Sequence, residues 1–268
     1  MSFYISLNGL KNAQLDLGVI SHNIANAETT GFKKSRTEFG DIVTGAGYTN
    51  SKQGIGATIE AVTQDFALGP IEQTGNALDF SINGDGFFTT SVPQTGQLLF
   101  TRNGSFSMNA DGYVFDSSGH RLQILPTAAD GTVTSTTPQD ALIPQTGASG
   151  AEFANLRANA DGQLIATYAD GTTEIAGTLA LARFSSPGGL IQNGSADWQA
   201  SAISGSPRYG APASSGFGTI LTGSLERSNV ELAEELVGLI IAQRNFQANA
   251  KAIDTASQIS QTIINLRT

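Results

Sequence analysis

Few side chains in this sequence are suited to acid–base or metal chemistry. It has two histidines, His22 and His120, and no cysteine. The lack of cysteine removes disulfides, thiolate metal sites and cysteine nucleophiles. His22 falls inside a helical stretch and reads as a polar surface or interface residue. His120 follows Gly119 at a turn, where exposure is the default reading. The chain contains no Gly-x-Ser-x-Gly nucleophile elbow. It also lacks a phosphate-binding loop, a Gly-x-Gly-x-x-Gly fingerprint and a His-Glu-x-x-His pair. Asp-Gly steps at Asp85, Asp111, Asp130, Asp161 and Asp170 raise the question of calcium. None has the Asp-x-Asp-x-Asp-Gly spacing of a calcium loop, so they read as β-turns. Glu234 and Glu235 are neighbours on a helix and do not face each other. Trp198 lies in a polar stretch and reads as a local packing anchor. The sequence therefore points to no catalytic, metal-binding or cofactor-binding residue, and to a protein that is not an enzyme.

What must be positioned is apolar surface, and the composition fits that. The chain has 268 residues, 40% of them hydrophobic, with 14 Lys+Arg against 23 Asp+Glu and a net charge of −9. This apolar content supports a packed core. The acidic balance argues against nucleic acid and anionic membranes as partners. No apolar run is long enough to cross a membrane. The start, Met1-Ser-Phe-Tyr-Ile-Ser-Leu-Asn, has neither the basic region nor the apolar run of a secretory signal peptide.

Both ends read as helices. Phe3, Leu10, Leu17 and Ile24 recur every seven residues, with Leu7 at the complementary heptad position. The pattern predicts a helix from Phe3 to about Asn26, stopped near Thr29-Thr30-Gly31. At the other end, Leu232, Leu236, Leu239, Phe246, Ala250, Ile253 and Ile264 share one heptad frame. Ser228 or Asn229 is the expected cap, with Glu231 at capping-box spacing from Ser228, and Arg267 falls in the last turn. A second apolar set, Val230, Val237, Ile241, Ile259 and Ile263, lies off that stripe. Two apolar faces on one long helix suggest more than one helical neighbour; the alternative is a single intramolecular hairpin with the N-terminal helix.

The middle reads as β. Between Gln64 and Gly218 short runs of β-formers alternate with Asp-Gly steps and with Asn-Gly at Asn83, Asn103 and Asn193, the strongest short hairpin signals. Gly40–Gly56 and Ser185–Gly218 read as glycine-rich connectors. The fold class is α+β: long terminal helices paired as a coiled coil, around a central antiparallel β-rich domain. The expected division is a helical domain over 1–28 and 226–268, a connector over 29–65, a β-rich domain over 66–218 and a return linker over 219–225. Helices that need partners at both ends are the mark of a self-assembling subunit, and an open head-to-tail interface generates a helical filament.

Four ordered motifs then resemble one family. Ser21-His-Asn23-Ile-Ala-Asn26-Ala-Glu-Thr-Thr30-Gly31-Phe32-Lys33 is similar to the N-terminal motif of bacterial flagellar rod and hook proteins. Asn76-Ala-Leu-Asp-Phe-Ser-Ile-Asn-Gly84-Asp-Gly86-Phe87-Phe88 resembles the start of their β domain. Thr101-Arg-Asn-Gly-Ser-Phe106 looks like the next motif. Leu225-Glu-Arg-Ser-Asn229-Val230, through Gln243-Arg244-Asn-Phe-Gln-Ala-Asn249, to Ile264-Asn-Leu-Arg267 is similar to the C-terminal helix. Phe246 stands where the family often has Tyr, and Ile124 where Gly is usual. The first residues, the final Ile-Asn-Leu-Arg and the 26 residues between Phe39 and Phe66 look most like the hook branch. The length, too short for an outer domain, looks like the distal rod branch.

The resemblance implies a structural subunit of a helical tube, with paired terminal helices lining an export channel. Its partners would be further copies of itself, other flagellar axial proteins (rod, hook cap, hook–filament junction) and the flagellar type III export apparatus, with no cofactor, no nucleic acid and no membrane insertion. Its place would be the flagellar hook or basal body, reached without a cleaved signal peptide. As a hook it would be the flexible joint passing torque from rod to filament; as a rod, a rigid driveshaft.

Overall fold

The computed structural model describes residues 2–43, 54–214 and 216–266. The chain divides into two compact units. One takes Met1–Ala27, Lys34–Asp65 and Val230–Thr268, and the other takes Glu28–Lys33 and Phe66–Asn229. Arg267 and most of the Gly40–Gly56 connector lie outside the described residues.

The first unit is built from helix α1 (Ser2–Ala25), strands β1 (Ser35–Val43) and β2 (Gly54–Gln64), and helix α2 (Leu232–Leu266). The helices run antiparallel, with Asn23 meeting Glu235, Ile20 over Gly238 and Gly9 over Asn249. A Cβ on Gly9 would collide with the Asn249 amide, so the glycine that weakens α1 as a helix lets α2 approach. The covered edge of α2 is Glu235, Leu239, Ala242, Phe246, Asn249, Ile253 and Ala256, all buried or half-buried and alternating steps of four and three.

That edge carries part of the expected stripe. Leu239, Phe246 and Ile253 lie on it, but Leu232, Leu236 and Ile264 are 45%, 50% and 58% exposed. The second arm of the seam is made of small and polar side chains. The other residues of the stripe lie on a neighbouring face, which this chain does not cover. On α1, Leu7, Leu10, Leu17 and Ile24 are half-buried, while Phe3 is exposed and Ala13 and Asn23 form the buried positions.

β1 and β2 form an antiparallel hairpin, Ser35 opposite Gln64 and Asp41 opposite Ala57, with two register shifts. It occupies part of the stretch read as connector. Alternation along β2, with Ile55, Ile59 and Ala61 inward, is the signal; the glycines around it obscured the reading. The cap expectation also changes. α2 begins at Leu232, so neither Ser228 nor Asn229 sits at its first turn, and the Asn229 amide donates to the Ala67 carbonyl instead.

The second unit holds the remaining strands: β3 (Ile71–Gln73), β4 (Phe80–Asn83), β5 (Phe87–Ser91), β6 (Leu98–Thr101), β7 (Phe106–Met108), β8 (Val114–Asp116), β9 (Arg121–Leu125), β10 (Gln139–Asp140), β11 (Phe153–Ala158), β12 (Gln163–Tyr168), β13 (Thr173–Leu179), β14 (Leu181–Arg183), β15 (Ile191–Gly194), β16 (Asp197–Gln199), β17 (Arg208–Gly210), β18 (Thr219–Thr222) and β19 (Ser224–Glu226). The main path of the large sheet is β11-β12-β13-β9-β5-β6-β16-β15, and its pairs are antiparallel. Asp111-Gly112, Asp161-Gly162 and Asp170-Gly171 close the hairpins β7–β8, β11–β12 and β12–β13, as their turn chemistry requires. Ile124, where Gly is usual, lies within β9. Gly177 on β13 supplies the room, because a Cβ there would come 2.7 Å from Ile124 Cδ1.

β5 has apolar cores on both faces, which is why Phe87-Phe88 does not alternate with polar residues. Phe88 joins Phe80, Phe106, Leu122, Leu164 and Tyr168 on one side. Phe87 joins Phe100, Phe184 and Trp198 on the other. Trp198 is 1% exposed and packs edge-on to Phe66 and Phe87, so it anchors a core rather than a loop. Residues 219–225, read as a return linker, carry strands: β18 pairs with β4 and β19 with β3. Ile220 is their only large buried side chain, too little apolar signal to mark strands.

Candidate assembly surface

The helical unit exposes a large apolar area. Ala242 is the one fully buried residue of α2 among the described residues. Val237, Ile240, Ile241, Ile259, Ile263 and Leu266 are 50–82% exposed, and on α1 so are Tyr4 and Leu15. The pairing register of the hairpin places the start of α1 opposite residue 256. From Ser257 to Leu266 every residue of α2 is exposed, so its last turns run on without α1 beside them. Monomeric proteins rarely leave such surface uncovered.

Polar side chains fix the geometry of this unit. Asn23, 1% exposed, donates to the Ser35 carbonyl at 2.8 Å and accepts from the Ser35 amide at 2.9 Å. The same side chain reaches Glu235 Oε2 at 3.2 Å. It thus mimics a strand partner for β1 while touching α2. Asn12 donates to the Ala57 carbonyl, and Thr37 bonds Asp16. Asn26 donates to the His22 carbonyl near the end of α1. Gln243 and Arg244 are exposed on α2.

In the β unit, the remaining motif residues meet at a buried ionic clasp. Lys33, fully buried, donates to Glu226 Oε1 at 2.5 Å and to the Ala67 carbonyl at 2.6 Å. Glu226 Oε1 also accepts the Gly69 amide, and Oε2 meets Arg102 Nη1 at 3.3 Å. Arg102 continues to the Gly84 carbonyl and lies over the Phe87 ring, 5.1 Å from its centroid. Burial pulls the Arg102 guanidinium down from its usual pKa, and the charge of Glu226 opposes the shift. Gly31 takes φ +70°, and a Cβ there would come 2.5 Å from the Asn103 amide, so only glycine fits beside that backbone. Its amide donates to the Glu226 carbonyl, while Phe32 is buried, Thr30 is half-buried and Gly86 precedes β5 at φ +133°. The clasp therefore ties the segment before β3, the β6 end and β19 together. The sequence singles out Lys33 and Gly84, but not the roles of Arg102 and Glu226, whose pairing with them carries no local signal.

A second polar cluster joins Asp116, His120 and Asp197. Burial, then the charge of Asp116, pushes the Asp197 carboxyl up to about 6. Asp116 and His120 stand four residues apart; nothing in the sequence pointed to Asp197 as their partner.

Three segments of the chain match family models. The segment 3–33 fits the model described as flagella basal body rod protein, 81–166 that of the flagellar hook protein FlgE/F/G D1 domain, and 221–266 that of the flagellar basal body rod FlgEFG protein C-terminal. The flagellar basal-body rod protein FlgG of Bacillus subtilis is 34% identical over 280 residues, spanning 99% of this chain and 98% of the relative. The chain belongs to the flagellar rod and hook protein family. The FlgG of Buchnera aphidicola (strain Bp) is 31% identical over 277 residues, spanning 98% of each chain. The flagellar hook protein FlgE of Escherichia coli is 26% identical over 408 residues, spanning both chains in full. In this chain the N-terminal motif reads physically as the Asn23 bracket and the Lys33 clasp. Membership supports a structural role in the flagellum, and no helix among the described residues is long and apolar enough to cross a membrane.

Proposed function

We propose that this chain polymerises through its terminal helices into a tubular segment of the flagellar axis, and that the segment is the hook. The observation that carries the polymerisation is the uncovered apolar surface of α2, above all the overhang from Ser257 to Leu266. Leu232, Leu236 and Ile264 then pack against neighbouring copies, while Leu239, Phe246 and Ile253 hold the hairpin of each copy. Each Leu or Ile that passes from exposed to fully buried contributes roughly 1.5–3 kcal/mol. The discontinuous helical domain is the tube-forming part and the β domain meets neighbours around it. Export runs through the flagellar type III apparatus, with rod, hook cap and hook–filament junction proteins as further axial partners.

The hook reading rests on the first and last residues and on the short stretch between Phe39 and Phe66. A second reading, a distal or proximal rod subunit, is favoured by length: the rod relatives align over 277–281 residues, the hook relatives over 408–409. Electron microscopy of the purified full-length protein after concentration tests both. Tubes are expected, curved for a hook and straight for a rod. A protein that stays monomeric at every concentration would overturn the proposal.

A further inference from the structure

Asp116 ends β8, His120 immediately precedes β9 and Asp197 opens β16. Asp116 Oδ2 lies 3.1 Å and Asp197 Oδ2 3.3 Å from the same atom, His120 Nδ1. All three candidate ligand atoms lie within 4.8 Å of one another. The two carboxyl side chains are 5% and 4% exposed, and the imidazole keeps 17%. One Nδ1–H serves two acceptors poorly, and a ring protonated on Nε2 would aim a lone pair at two buried carboxylates. A divalent ion at the centre satisfies all three groups and cancels both negative charges.

The spacing indicates which ion. Zn²⁺ bonds nitrogen and oxygen ligands at about 2.0–2.2 Å, and tetrahedral angles then set ligand atoms roughly 3.4 Å apart; the two distances to His120 are close to this. Calcium and magnesium require six or more ligands, mostly oxygens, and an imidazole favours a transition ion. The carboxylates are also held from behind. Asp116 Oδ1 accepts the amides of Ser118 and His120 at 2.8 and 2.9 Å, which turns Oδ2 toward the ring, and Asp197 is placed by the pairing of β16 with β6, where it lies opposite Thr101.

We propose that Asp116, His120 and Asp197 form a Zn²⁺ site, with water as the fourth ligand on the open side of the imidazole, that staples the β8–β9 turn to β16. The test is a calorimetric titration of untagged, EDTA-treated full-length protein with ZnCl₂ at pH 7.5. It is paired with thermal unfolding of wild type, His120→Gln and Asp197→Asn. One ion per chain is expected, with a higher unfolding midpoint in wild type. Affinity should fall at least tenfold in each variant while far-UV circular dichroism stays unchanged. Should Asp197→Asn fail to fold, His120→Gln, altering the partly exposed ligand, decides the matter. Wild type that neither binds Zn²⁺ nor gains stability from it would overturn the site in favour of a proton-shared triad. Wild-type affinity in His120→Gln would overturn it in favour of another ligand set.

Discussion

The two units of this chain differ in how they use apolar side chains. The β unit closes on itself. Phe80, Phe88, Leu122, Leu125, Leu164 and Leu179 are fully or almost fully buried, and β5 is covered on both faces. The helical unit does not. One arm of its hairpin seam is made of small and polar residues, and many of its larger aliphatic side chains, among them Val237, Ile241 and Ile263, are more than half exposed. A β core closed on both faces of β5 is a solution for one chain, whereas the proposed assembly leaves this helix pair to be finished by other chains. Stability and assembly are therefore written in different residues, and substitutions should separate them.

The largest separation is expected from Val237→Asp combined with Ile241→Asp. Both side chains are more than half exposed, so the monomer should keep its circular dichroism while the critical concentration for tube formation rises at least about 100-fold, from two lost burials and two buried charges. Unchanged assembly in a sedimentation assay would place the interface elsewhere.

Glu226→Ala should act in the opposite sense. It leaves Lys33 and Arg102 buried without their shared carboxylate, a loss of about 3–5 kcal/mol, readable as a lower denaturation midpoint of the β unit. A midpoint equal to wild type would remove the clasp from the account.

A smaller effect sharpens the helical side. Gly18 has nothing within 4 Å of an added Cβ, so Gly18→Ala should stabilise α1 in the monomer by about 1 kcal/mol. Weakened assembly in the same variant would show that neighbours pack over that spot.

The smallest concerns acid. Burial pushes the Asp140 carboxyl up, but hydrogen bonds from Arg121, Gln123 and Ser91 outweigh it and hold it below the usual carboxylate range. The folded state then takes up that proton at lower pH than the unfolded chain. Its stabilisation is present above about pH 4 and is lost as pH falls through the lowered value. Asp140→Asn should flatten the acid limb of the β-unit stability curve and leave the helical unit unaltered.

Much of this contrast was legible in the sequence. The long helices, the β middle and its Asp-Gly hairpins follow from periodicity and turn chemistry, and the motif residues Asn23, Gly31 and Lys33 each make contacts distant in sequence. What the pattern leaves out has one physical origin. Pattern reading weights apolar bulk, so it marks Leu239, Phe246 and Ile253 on the seam but not Glu235, Ala242, Asn249 and Ala256 between them. Short strands with one buried side chain, such as β18, carry too little signal to be told from linker. Partnerships across the chain, Lys33 with Glu226 or Asp116 with Asp197, leave no local trace at all.

Hydrogen exchange of the monomer compared with the assembled tube tests the central claim most directly. The account predicts that amides of α2, most of all beyond Ala256, gain protection of 100-fold or more on assembly, while those of β5 and β9 are equally protected in both. Equal protection of α2 in monomer and tube would contradict it.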